Sequence, residues 1–420
     1  MCVLAAVLAI GSAAQASLYN VNPGDSIQAA IDAASDGDTI NVAAGTYNEA
    51  ITVRKSLAIN GAGAGLTILS GAGITSTNYL IERSDTAASD VFSMSGFTLQ
   101  NAPGASGTRA MARFFMERGQ LSFTDNVIDC SANAADTIGI GVSTGYASSS
   151  LVLNNNIIND SENNSILIER ALGAVEIGGN AINANTTWSA IYSMSYMSSG
   201  EGDPHTVEGK HWYHDNTITG GAAGSGGISV NSSPYWGSFT DGKYEDVDIS
   251  GNSIENSNGS WTAITFSAGG VGSGINGVIS DNTVTTTLAT PGGAKGIGLY
   301  GLVTETSITD NRITGFDIGV NISSNDIDGS PVFADAIVTS NNISGSGSYG
   351  LYNGSTTNTI DAEYNWWGDA SGPSGEGLGI GDAVSTNVDF DPWLTEPIPE
   401  PATIALLGLG GLMLGRRKRA

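Results

Sequence analysis

The chain has 420 residues, of which 58 are Gly, 13% are charged and 40% are hydrophobic, a mixture that excludes both a disordered chain and a helical bundle. Its formal net charge of −26 excludes nucleic acid as a partner, and an acidic polysaccharide is repelled as well unless Ca2+ bridges the two. The only cysteines are Cys2 and Cys130, so no disulfide framework and no Cys-based zinc site is expected.

The first element is an address. An apolar run over residues 3–10 ends in Ala14-Gln15-Ala16, the pattern of a signal peptide cut after residue 16. Next, residues 23–34 read as a short amphipathic helix with Asp25 or Ser26 as N-cap, suited to cover the open end of a solenoid. Short β-rich runs follow at Asp38-Thr39-Ile40-Asn41-Val42, Gly45-Thr46-Tyr47 and Ile51-Thr52-Val53.

From there a phrase, Asn-x-Ile/Val, recurs. It opens at Asn126, Asn156, Asn180, Asn216, Asn252, Asn282 and Asn311, continues as Asn341-Asn342-Ile343, and closes in a variant at Asn365. The spacing averages about 30 residues, the length of one solenoid turn. Three residues before each Asn stands an apolar side chain, among them Phe123, Leu153, Ile177, Tyr213 and Ile249. Small or polar residues alternate with these, as in a strand with one buried face. A second strand follows in each unit, for example Gly227-Ile228-Ser229-Val230. Strands without intervening helices stack as parallel coils about 4.8 Å apart, and each Asn then meets its equivalent one coil away in a hydrogen-bonded ladder. With the helix, the Gly37-Asp38-Thr39-Ile40 strand and the Gly45-Thr46-Tyr47 turn, residues 20–394 resemble the pectin-lyase-like superfamily. The resemblance implies an all-β, right-handed parallel β-helix over residues 17–394. It implies no single activity, because that fold hosts lyases, hydrolases, esterases and non-catalytic adhesive proteins.

The repeat register stacks side chains. Positions two, four and six before each Asn should face outward, which aligns Glu176 with Trp212 and Asp248, and Lys210 with Asp246, with His214 on the same face. The units here are the longest, and they also carry Trp188, Tyr192, Tyr196, Glu201, Asp203, His205, Tyr235, Trp236 and Tyr244. Aromatic planes beside polar groups suit sugar rings. A carbohydrate-contacting groove over residues 176–250 is therefore expected, lined by Glu176, Trp188, Tyr192, Trp212, Trp236 and Tyr244. His205, His211 and His214 are not expected to form a metal site, since His211 should face inward. Ser324-x-Asp326-x-Asp328-Gly329, with Asp335, partly echoes a Ca2+ loop but reads better as an Asp-rich turn. No cofactor is expected, Ca2+ being the one ion the sequence leaves open. The Glu-Arg pairs at 82–83, 117–118 and 169–170 read as surface ion pairs.

Asn365-Trp366-Trp367-Gly368-Asp369 with Gly372-Pro373 should cap the last coil. The tail, residues 395–420, has three parts: Pro399-Glu400-Pro401, an apolar stretch over residues 402–415, and Arg416-Arg417-Lys418-Arg419. As a helix the stretch reaches about 21 Å, short of a hydrocarbon core of about 30 Å. In this order the three parts resemble the PEP-CTERM sorting signal of Gram-negative bacteria. The resemblance implies transient anchoring in the inner membrane and cleavage near Pro-Glu-Pro by an exosortase-type enzyme, which releases the protein to the cell surface or matrix. The expectation is a non-catalytic display, adhesion or glycan-binding protein. The alternative is a polysaccharide lyase or glycoside hydrolase with Lys210 or His214 as base and Asp246 or Asp248 as acid or Ca2+ ligand.

Overall fold

The computed structural model describes residues 16–399, apart from 86–89, 105–107, 117–118, 133–136, 145–148, 171, 186–187, 196–205, 208, 221–225, 233–241, 257–261, 270–272, 287, 289–291 and 328–329. The signal segment lies outside the described residues, as do Tyr196, Glu201, Asp203, His205, Tyr235, Trp236, Glu400, Pro401 and Arg416 to Arg419.

Each winding contributes a strand to three parallel sheets in turn. Among the described residues the first sheet has 15 strands, the second 11 and the third 14. Alternating runs make the strands that bury only one side. In Gln120–Thr124, for instance, Leu121 and Phe123 point inward and their neighbours outward. The inward residues form one continuous core from Val21 to Val388, which is a parallel β-helix.

The first and second sheets meet in a turn built the same way in nine windings. One residue adopts a left-handed conformation: Asp125, Asn155, Gly179, Asp215, Gly251, Asp281, Asp310, Ser340 and Tyr364 have φ between 53° and 68°. Asp, Asn and Gly tolerate that region best. The following residue is the repeated Asn, its side chain buried in every case. Asn216 is representative. Its Oδ1 accepts from Asn180 N at 3.0 Å and Nδ2 at 2.9 Å, while its own Nδ2 donates to Asn252 Oδ1 and to Ile177 O, both at 2.9 Å. The ladder is unbroken from Asn126 to Asn365, and the Phe97 N–H ends it on Asn126 Oδ1. The expected ladder is the spine of the molecule.

Both ends of the core are covered. The helix Ile27–Ala33 buries Ile27 and Ile31 over the first coil, with Ser26 as N-cap. Glu49 accepts from the N–H groups of Ile27 and Gln28, and Lys55 Nζ donates to the carbonyls of Ile31, Asp32 and Ala34. A carboxylate and an ammonium thus serve the orphan groups at opposite helix ends with the sign each end favours. At the other end Trp367 is fully buried and packs on Gly350, where a Cβ would come within 3.1 Å of the indole. Trp366 is half-buried and outside that core, so one of the two tryptophans caps. Residues 324–327 pair antiparallel with Ser330–Phe333, and the Asp-rich turn expected there falls partly on residues 328–329, outside the described residues. Glu169 bonds Arg113 across two windings rather than its neighbour Arg170.

Candidate functional site

Three adjacent strands of the first sheet, Ala174–Gly178, His211–His214 and Lys243–Ser250, carry the expected face. Their register stacks Glu176, Trp212 and Asp248, and beside them Gly178, His214 and Ser250. The intervening Ile177, Tyr213 and Ile249 face the core. Lys210 Nζ bonds Asp248 Oδ2 at 2.8 Å and lies 5.4 Å from the Trp212 ring centroid. The His214 imidazole stacks on the same indole, centroids 3.6 Å apart at 20°. Lying two residues to either side along an extended strand, Lys210 and His214 flank the indole. Trp212 Nε1 donates to Ser250 Oγ at 3.1 Å.

A missing side chain makes room for the imidazole. A Cβ on Gly178 would collide with His214 Nε2, so the ring lies flat over the preceding winding. There Nε2 is 3.5 Å from Glu176 Oε1, while Nδ1 is 2.9 Å from Asp215 Oδ2. A carboxylate can only accept, so Nδ1 carries a proton. Asn154 Nδ2 holds Glu176 Oε1 at 2.6 Å.

Beneath this face lies a buried polar group. His211 is fully buried, with Nε2 3.1 Å from the Gly173 carbonyl and Nδ1 3.2 Å from Tyr213 Oη. Because the carbonyl only accepts, Nε2 donates and Nδ1 accepts the Tyr213 hydroxyl. Tyr244 packs edge-on to His211, its hydroxyl 3.4 Å from Ser193 Oγ. Burial raises both phenols above the usual tyrosine range. His211 and His214 therefore sit on opposite sides of the sheet, and among the described residues no cluster of three His, Cys, Asp or Glu could hold a metal.

Several expected neighbours are elsewhere. Tyr244 is fully buried and offers nothing to a sugar. The register shifts between Tyr244 and Val247, and Glu245 and Asp246 are both exposed; this bulge reverses the in–out alternation upstream of it. For the same reason Lys210 pairs with Asp248 and not Asp246. Trp188 and Tyr192 belong to the third sheet and the corner leading to it, where Tyr192 Oη accepts from Asn231 Nδ2 at 3.2 Å. Asn154, Asp215 and Ser250 complete the cluster; of these, Asp215 has no place in the count by twos. Asn154 and Ser250 stand two residues before their ladder Asn, a position expected to face outward.

That position forms a column along the first sheet. Asn20, Asn41, Asn60, Ser95, Thr124, Asn154, Gly178, His214, Ser250, Ser280, Thr309 and Thr339 stand in register on successive windings. Apart from His214 and Gly178, the column is amides and hydroxyls. At its head, Asn20, Asn41 and Asn60 line a shallow cavity of about 380 Å3.

The body is similar to the A-modules of two mannuronan C-5 epimerases of Azotobacter vinelandii. AlgE4 matches with 15% identity over 89% of this chain and 93% of its own, at a TM-score of 0.51. AlgE6 matches with 15% identity over 91% and 100%, at 0.50. Identities this low establish the fold alone. No curated protein matches the chain in sequence. Residues 397–419 match the PEP-CTERM protein-sorting motif. The body has the right-handed parallel β-helix fold, and its tail carries the PEP-CTERM sorting motif. The motif marks the chain for export to the surface of a Gram-negative bacterium and for processing by an exosortase-type enzyme. Among the described residues, no helix is long and apolar enough to cross a membrane.

Proposed function

We propose that this protein is a non-catalytic surface or matrix rod that contacts a neutral polysaccharide through the outer face of its first sheet. The observation that supports this reading is the pairing of charge in the Trp212 cluster. Lys210 is held by Asp248, Lys243 by Glu245 and His214 between Asp215 and Glu176. A uronate arriving here meets lysines already paired and a surplus of carboxylates, which repel it. Lys210 and His214, the two candidate bases, stand on either side of an indole, each engaged by an acid rather than turned together toward one opening. A neutral chain needs only donors and acceptors, which the amide and hydroxyl column provides.

The test is a panel of neutral and uronate-containing polysaccharides, with and without Ca2+, followed for binding and for product. Binding of neutral chains without reducing ends or unsaturated products is expected, weakened at least tenfold by Trp212→Ala. Products formed by the wild type and lost in Lys210→Ala/His214→Ala would establish a lyase or hydrolase instead. Preferential Ca2+-independent binding of uronate chains would overturn the charge argument.

A further inference from the structure

The sorting motif begins at residue 397, yet its second residue is bound to the solenoid. Asn342 follows ladder Asn341 and starts the strand Asn342–Ser344. Its Nδ2 donates to the Ile398 carbonyl and its Oδ1 accepts the Ile398 N–H, both at 2.8 Å. One side-chain amide thus satisfies both main-chain groups of Ile398, as a neighbouring strand would. The equivalent positions in earlier windings are Thr217, Ser253, Thr283 and Arg312, none of them an amide. The segment reaches Asn342 along the body: Tyr364 N donates to Pro392 O, and Leu394 N to Asn365 O.

Residues 398–401 read Ile-Pro-Glu-Pro. Proline has no N–H, so Ile398 and Glu400 hold the only main-chain donors of this stretch, and Asn342 occupies one of the two. An enzyme that takes its substrate as an extended strand pairs with those same groups. Only residues 399–401 separate the clamp from the apolar stretch, a reach of about 10 Å. While Ile398 is docked, the last windings must therefore stand against the membrane that holds the stretch.

We propose that Asn342 is a positioning residue for processing: it docks the front of the sorting motif on the rod, and cleavage waits for Ile398 to be released. The inference rests on the exosortase-sorted reading of the tail and is independent of the glycan proposal. The full chain, expressed in a Gram-negative host with its processing enzyme, is followed by pulse-chase through the mass shift from precursor to product. Asn342→Ala is expected to raise the processing rate several-fold. Asn342→Asp, which can accept but not donate, falls between the two. A Gly-Ser-Gly-Ser spacer inserted between Ile398 and Pro399 leaves the clamp intact but frees the downstream motif, so it should speed the wild type and erase its difference from Asn342→Ala. Equal rates without the spacer, or a difference that survives it, overturn the proposal. No cleavage of any variant, spacer included, overturns the sorting reading itself.

Discussion

The corner between the first and second sheets and the corner between the third and first are made from one chain by opposite means. At the first, a left-handed residue and a buried Asn turn the chain in the same two positions, winding after winding. At the other, four residues join Ile166–Glu169 to Ala174–Gly178, whereas a much longer segment joins Ile191–Met194 to His211–His214. The ladder therefore keeps the register while the far corner absorbs the change in length. A scaffold arranged this way can enlarge its loops without moving its strands.

The comparison is broken most severely at the ladder. Asn216→Ala strands two donors of Asn180, the Ile177 carbonyl and one acceptor of Asn252 in a dry corner. A loss of about 4 kcal/mol is expected in urea unfolding. A smaller effect is expected from alkali, which spares the ladder because amides do not titrate. Burial pushes the Cys130 thiol from 9.0 up to about 12, and burial likewise raises Tyr213 and Tyr244 above 10.0. Each is neutral in the folded state while its unfolded form would ionise. The stabilisation is complete below the unfolded values and lost as pH rises through the folded ones. Unfolding measured against pH should be level up to about 9 and decline above it, and Cys130→Ala should flatten the onset. The smallest effect is expected from four Gly/Ser residues inserted after residue 236, in the long segment before Lys243–Ser250. Loop closure makes that change worth about 0.5 kcal/mol. A loss as large as that of Asn216→Ala would show that the far corner also sets the register.

These contrasts explain what could be read from the letters. The ladder was legible because Asn126 to Asn365 repeat one residue in one environment, and the Asp, Asn or Gly before most of them carries the turn. Counting by twos correctly placed Glu176, Trp212 and Asp248 on one outward line, and His211 inside. Tyr244 was drawn into the groove by the length of its unit, and it lies inside because of a bulge, which is set by how two strands pair and leaves no mark in either strand alone. The His214 slot was hidden for a related reason: Gly178 counts as an outward position, and its missing side chain gains a meaning only when the imidazole of the next winding lies over it. Trp188 and Tyr192 were drawn into the groove by proximity in sequence, although successive sheets turn their outer faces away from one another.

The helix Ile27–Ala33 and Trp367 have a bearing on how copies of such a β-helix associate. Unsealed sheet edges would template further copies and extend the particle without limit. With both termini plugged, every particle has the same length, and assembly into anything larger has to proceed sideways, through flanks that water already wets.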